Sequence, residues 1–215
     1  MPVSNFNAAK LEQLLNGPSS GFTVRELVDN SDVFMFLCDS IEHIQESEGS
    51  ELVDDPNDSG GLTKYGVTER TARNLGYKGE MADMCQKKAA LIAAYEFYFR
   101  PKFYRLNEIV GPKFTYEVFD AAYLSSAKAV IELIQRFLNV ANRQGKDWPD
   151  IGVDGILGEG ETIPALESYL AKRGEDMLMK NFRGLMYTHF FTLCERREKD
   201  EKFFNGWVAE RIGED

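Results

Sequence analysis

Apolar residues recur along this chain at two spacings, and the changes between them mark its elements. Leu11, Leu14 and Leu15 stand three and four residues apart and predict a short amphipathic helix. Gly17 ends it, before the loop Pro18-Ser19-Ser20-Gly21. A second helical piece over Val24 to Val28 leads into Asn30-Ser31-Asp32, a cluster of helix-capping residues. Residues 1–31 therefore read as a helical arm that covers apolar surface on the rest of the chain. From Asp32, residues Phe34, Leu37, Ile41 and Ile44 fall on one helical face. One turn further, that stripe reaches Glu48, and Gly49 then stops the helix. A carboxylate stands where an apolar residue is due.

Asp54 to Gly61 is turn upon turn, and Leu62 to Thr68 then alternates with β-forming residues, which predicts a short hairpin. Thr68 is placed to cap a helix running to Asn74-Leu75 and ending at Gly76. Residues 80–100 predict one longer helix with Met81, Met84, Leu91, Ile92, Tyr95 and Phe99 inward, stopped by Pro101. After Gly111-Pro112, Val130, Ile131, Ile134, Phe137 and Leu138 form one stripe. Met177, Phe182, Leu185, Met186 and Leu193 form another, with a polar, Gly-rich stretch from Asn142 to Gly160 between them. Helices around one small β element predict an α+β chain that is mostly α.

Composition narrows the partners. The 215 residues are 43% hydrophobic, enough for one large domain or two small ones. Lys plus Arg number 25 against 35 Asp plus Glu, a net charge of -10, which argues against whole-surface binding of nucleic acid. Lys102, Arg105, Arg136, Arg143 and Lys146 could form a local basic patch, with solvated surface the plainer reading. The apolar stretch Val33 to Cys38 is far short of a bilayer span, so no stable membrane insertion is expected. The start Met-Pro-Val-Ser-Asn-Phe-Asn lacks the pattern of a signal peptide. Cys38, Cys85 and Cys194 are widely spaced and odd in number, as reduced core thiols would be.

Candidate chemistry reduces to carboxylates. The loop mimics a calcium site through Asp55, Asn57, Ser59 and Gly60, yet Gly66 stands where the bidentate Glu is required. No nucleophile elbow or phosphate-cradling Gly loop is present. With two histidines and no Cys-x-x-Cys, zinc is poorly supported. His43 lies off its stripe, and His189 reads as a hydrogen-bonded core imidazole. Glu48 and Asp58 remain. A carboxyl on the apolar face of a helix C-terminus is partly desolvated, which raises its pKa and keeps its proton. Asp58, in a polar loop, stays ionised. Two carboxyls in different protonation states suit glycosidic cleavage, although spacing alone also allows Glu48 to be a surface residue at a frayed end.

The stretch Glu48-Gly49-Ser50 through Asp54-Asp55-Pro56-Asn57-Asp58-Ser59-Gly60-Gly61-Leu62-Thr63-Lys64-Tyr65-Gly66-Val67-Thr68 resembles the signature of the glycosyl hydrolase 108 family. Those are lysozyme-like N-acetylmuramidases, found as phage endolysins and as bacterial secretion-activator proteins. Phe119-Asp120-Ala121-Ala122, Leu133 to Val140 and Asp154 to Gly158 are similar to the family's C-terminal peptidoglycan-binding region. Phe204-Asn205-Gly206-Trp207 matches its closing motif, so the resemblance spans residues 34–211. Ser50-Glu51 depart from the family's Gly-Tyr, and Leu124 and Ser126 replace an Asn and a Gly.

The resemblance implies a lysozyme-like, two-lobed fold with a small β-hairpin beside the catalytic helix. It implies an arm (1–31), a catalytic region (32–115) and a helical peptidoglycan-binding region (116–215), the last two packed as one domain or separate. Glu48 would be the general acid, with Asp58 and Thr63 holding the attacking water, an arrangement that favours inversion. Tyr65 would stack on a sugar or pack in the core, and Asp120 and Gln135 would contact substrate. No metal or organic cofactor is expected. The expected partner is the peptidoglycan glycan strand, met by a monomer. The expected setting is an endolysin made in the bacterial host cytoplasm and reaching the wall after holin-type release. Alternatives are a non-catalytic wall binder and a bacterial muramidase acting in protein secretion.

Overall fold

The computed structural model describes residues 8–18, 51–53 and 61–212. The helix expected over residues 32–48, the piece at 24–28, Cys38, His43, Glu48 and the loop carrying Asp58 lie outside the described residues. The chain forms two compact units, Met1–Tyr104 and Arg105–Asp215.

In the first unit, helix α1 (Ala8–Asn16) presents Leu11 and Leu15 to the interior, where both lose essentially all solvent contact. They join Val67, Ala72, Tyr77, Met81, Met84 and Ile92 in one apolar cluster, so the arm is part of the core. Its last residue is clasped to the chain sixty residues on. The Asn16 amide donates to Gly76 O at 2.8 Å and accepts from Lys78 N at 2.9 Å. Gly76 is required here twice over. Its φ of +86 closes the preceding helix, and a Cβ there would meet Glu12 Cγ at 2.9 Å.

Strands β1 (Thr63–Lys64) and β2 (Val67–Thr68) pair antiparallel, with Thr63 opposite Thr68 and Lys64 opposite Val67. Tyr65 and Gly66 connect them at φ 51 and 68, the two positive angles of the hairpin turn whose twist matches the strands. Val53 adds a third rung through Val53 N to Thr63 O at 2.8 Å and Thr63 N to Val53 O at 2.9 Å. Thr68 caps α2 (Glu69–Asn74) by accepting from Thr71 N at 3.2 Å, as its position in the sequence suggested.

Residues 80–100 differ from the single helix expected. A 3-10 turn, Met81–Asp83, gives way to Met84 and Cys85 in extended conformation. Helix α3 (Gln86–Ala94) comes next and widens into a π turn at Tyr95–Phe99. The break at Met84-Cys85 carries no Pro or Gly signal, whereas the π turn lies just ahead of Pro101. Met81, Met84, Leu91, Ile92 and Phe99 are nevertheless buried, because each segment turns the same side inward.

The second unit is helical: α4 (Tyr104–Ile109), α5 (Pro112–Leu124), α6 (Ala127–Ala141), α7 (Thr162–Arg173), α8 (Glu175–Arg196) and α9 (Glu201–Arg211). Pro112 opens α5 where its missing N–H costs nothing, and Ser126 caps α6 by accepting from Ala129 N at 3.2 Å. Val130, Ile131, Ile134 and Leu138 bury one face of α6 as expected. On α8 the buried residues are Leu178, Met179, Phe182, Met186, Phe190 and Cys194. Met177, expected inward, is 46% exposed, because the inward side of the first turn of α8 is taken by Leu178 and Met179. Phe182 meets Phe114 edge to face at 5.3 Å, and Arg183 grips Glu117 through both carboxylate oxygens at 2.6–3.2 Å. A mostly helical chain with one hairpin is the α+β class expected.

Candidate functional site

The β-hairpin holds Thr63 and Tyr65, the two expected site residues of the catalytic region that are described. Thr63 is fixed on both sides, by Val53 through the backbone and by Thr68 through the strand register. Its hydroxyl is buried and has no hydrogen-bond partner among the described residues. A buried unpaired hydroxyl costs about 1–3 kcal/mol, so a group kept this way is a candidate for a ligand or a held water. Tyr65 is half-buried against the apolar cluster. Its left-handed backbone, uncommon outside Gly and Asn, costs about 1–2 kcal/mol. The Val53–Thr63 rung brings together the ends of the segment that carries Asp58 in the sequence, while residues 48 and 58 themselves lie outside the described residues.

The other two expected site residues, Asp120 and Gln135, lie in the second unit and face inward. Asp120, on α5, is 9% exposed. Gln135, on α6, is 1% exposed, and both ends of its amide hold the 142–161 loop. Its Nε2 donates to Asp154 Oδ1 at 2.8 Å, Ile156 O at 3.0 Å and Thr162 Oγ1 at 3.0 Å. Its Oε1 accepts from Asp154 N at 3.0 Å and Gly155 N at 2.9 Å. One and two turns further along the same face, Asn139 exchanges two 2.8 Å bonds with the backbone of Ile151, and Asn142 donates to Asp150 Oδ1 at 2.6 Å. Trp148 Nε1 donates to Leu138 O at 3.2 Å beside them. A ladder of amides thus fastens a long loop that has no ladder of its own.

This ladder accounts for the Asp154-Gly155-Ile156-Leu157-Gly158 block. Asp154 accepts from Ile156 N at 2.9 Å, an Asx turn. Its carboxyl is held below the usual range by the Gln135 amide and then by the Ile156 N–H. Gly155, at φ 73, lies where a Cβ would come within 3.0 Å of the Lys128 carbonyl. The closing motif is likewise used in packing: Trp207 lies 5.5 Å from Phe190 and Phe204 5.8 Å from Tyr187, docking α9 on α8.

His189 hydrogen-bonds Ser125 Oγ at 2.9 Å, and burial lowers its pKa, so it is neutral near pH 7. Cys194 is a reduced, buried thiol whose Sγ donates to Asp200 O at 3.6 Å. Burial raises its pKa, with Asp200 adding to the shift, so it is no nucleophile. Of the candidate basic patch, Arg105 is paired with Glu108 and, at 2.9 Å, with Glu159. Arg143 lies 3.2 Å from Asp147. Those charges are neutralised locally. Among the described residues no group of three or more His, Cys, Asp or Glu could hold a metal ion, and no helix is long and apolar enough to cross a membrane.

Comparison with known proteins adds the chemistry. Residues 41–125 match the family described as glycosyl hydrolase 108, and residues 129–212 match a predicted peptidoglycan domain. The solved structure of SagA from Brucella abortus shares the fold, with a TM-score of 0.57 and 18% identity over 81% of this chain and 88% of that one. No curated protein matches. With the hairpin in the hydrolase match and the amide ladder in the peptidoglycan match, the chain carries a glycosyl hydrolase 108 region followed by a peptidoglycan domain and is a glycoside hydrolase acting on peptidoglycan.

Proposed function

We propose that this enzyme is a muramidase that hydrolyses the β-1,4 bond between N-acetylmuramic acid and N-acetylglucosamine, with Glu48 as general acid. Asp58 and Thr63 hold the attacking water on the opposite side of the sugar, and the reaction inverts configuration. The observation that carries this reading is the Thr63 hydroxyl, buried on a pinned hairpin with no partner among the described residues. In water the group would be satisfied for nothing, so its retention in a buried site points to a guest molecule there. Glu48 donates its proton to the glycosidic oxygen as the bond breaks. Asp58 takes a proton from water and steadies the positive charge growing at the anomeric carbon. Tyr65, at the hairpin tip, contributes a sugar contact. The protein works as an endolysin, as a monomer, reaching the wall after holin-type release.

The test is Glu48→Gln in a turbidity assay on purified cell walls, with Glu46→Gln and Glu51→Gln as controls. Loss of a positioned general acid lowers the rate by about 10²–10⁴-fold, and the controls retain activity. Mass spectrometry of wild-type fragments then shows reducing N-acetylmuramic acid ends. Full lysis by a folded Glu48→Gln variant, or fragments with intact glycan and released peptides, refutes the proposal.

A further inference from the structure

A groove of about 760 Å³ runs between α6 and α8 in the second unit. Its α8 wall carries a row at four-residue spacing, Lys180, Gly184, Thr188, Thr192 and Arg196, with a cation at each end and small residues between. Gly184 leaves open space where a Cβ would stand. Thr188 and Thr192 turn their hydroxyl protons back onto the carbonyls of residues 184 and 188, at 3.0 and 2.8 Å, which leaves their oxygens facing outward as acceptors. Across the groove α6 supplies Leu133 and Val140, the latter 85% exposed, together with Arg136.

Two features give the groove its chemistry. No carboxylate lines it, although the chain has 35 Asp and Glu against 25 Lys and Arg. Its three cations, Arg136, Lys180 and Arg196, form no ion pair among the described residues. Elsewhere in this unit Arg105, Arg143, Lys172, Arg173, Arg183 and Arg197 are all matched to carboxylates. Three unmatched cations thus line one trough, while Lys146, Lys199 and Lys202, which also lack an ion pair among the described residues, lie outside it.

We propose that this groove binds the peptide stems of peptidoglycan, whose free carboxylates meet Arg136, Lys180 and Arg196 while their alanine methyl groups lie on Leu133 and Val140. The proposal rests on peptidoglycan being the substrate, and both walls lie in the part of the chain that matches the predicted peptidoglycan domain. Length supports it. Sixteen helical residues separate Lys180 from Arg196, about 24 Å, a span that suits an extended chain rather than a small metabolite. Charge density supports it too. Three cations over that distance suit scattered carboxylates, whereas duplex nucleic acid carries one charge per about 1.7 Å. A bare glycan fits less well, because the one phenyl ring in the lining, Phe137, is packed edge to face on Tyr169 at 5.0 Å, and the His189 imidazole is bonded to Ser125 Oγ.

The experiment is co-sedimentation of the full chain with insoluble cell walls, intact or stripped of their peptides by an amidase. Glu48→Gln serves as the background, so that walls are not consumed. The combined variant Arg136→Ala, Lys180→Ala, Arg196→Ala is expected to bind intact walls at least tenfold more weakly and to bind stripped walls as the parent does. Lys146→Ala with Lys199→Ala, two exposed cations away from the groove, is expected to change neither. Arg136→Lys with Arg196→Lys, which keeps the charge, is expected to bind as the parent does. Undiminished binding of intact walls by the triple variant, an equal loss on stripped walls, or displacement from walls by single-stranded DNA in place of soluble stem peptide would overturn the proposal. Hydrolysis of peptide-free glycan oligomers by wild-type protein is read separately, so a failed muramidase reading and a failed groove are distinguishable.

Discussion

Replacing Gln135 with Ala removes the hub of the amide ladder and should detach the loop without touching the apolar stripe of α6. Five hydrogen bonds between 2.8 and 3.0 Å are lost at once. At a net of about 0.5–1.5 kcal/mol each, the sum is about 2.5–7.5 kcal/mol. The lower part of that range applies. Asp154 and Ile156 are exposed and regain water when the amide leaves, and the buried Thr162 hydroxyl keeps its 3.2 Å bond to Ile156 O. The expected cost is therefore about 3 kcal/mol, shared between the lost amide bonds and the cavity left behind. Urea denaturation of wild type and variant measures it, and hydrogen exchange locates it. Amides of Asp154, Gly155 and Ile151 should lose protection while those of α8 keep theirs. Gln135→Glu is the sharper companion, since it keeps the acceptor but sets a carboxylate against Asp154. It should be no more stable than Gln135→Ala at pH 7 and should recover as acid protonates the pair. A loss under about 1 kcal/mol for Gln135→Ala, with the loop still protected, would refute the assignment of the loop's order to this side chain.

Thr63→Val keeps the shape and removes a hydroxyl that has no partner among the described residues, so stability in urea should hold or rise by about 1 kcal/mol while wall lysis falls by at least tenfold. A stability loss with full activity would place the hydroxyl in the fold instead. Leu15→Ala empties a fully buried site in the first unit and should cost about 2–5 kcal/mol, read by thermal and urea melts, and an unaffected melt would mean that α1 is not part of the core. His189 is held neutral by burial, so on acidification the unfolded chain takes up its proton first and stability falls below about pH 6.5. His189→Gln should flatten the decline in melting temperature between about pH 7 and pH 5, and an unchanged slope would assign that decline to other groups.

Much of the fold was legible where the physics is local. The hairpin could be placed from alternation at Leu62 to Thr68, and its helix from the Thr68 cap and Gly76, because caps and turns act through neighbours in sequence. The α6 stripe was legible for the same reason. Met177 is exposed because the first turn of α8 buries Leu178 and Met179 instead, a choice among adjacent apolar residues that spacing alone does not announce. The break at Met84-Cys85 has no breaker residue to mark it, and Pro101 marks where the helix ends but not the π turn ahead of it. Gln135 carried a signal that was overlooked: amides at 135, 139 and 142 share one edge of α6 just before a long polar loop. The α6–α8 groove had no such signal, since which cations remain unpaired depends on how two distant helices align.

The clasp of α1 onto the Gly76 turn has a practical consequence. The hydrolase match begins at residue 41, yet the globule it lies in is completed by side chains at positions 11 and 15. A fragment trimmed to the matched limits would start with a greasy vacancy over Tyr77 and Met81, prone to sticking to its own kind. Expression plasmids, fusion joints and transplanted modules should therefore keep Ala8–Asn16, and an affinity tag belongs ahead of Ala8 rather than in its place.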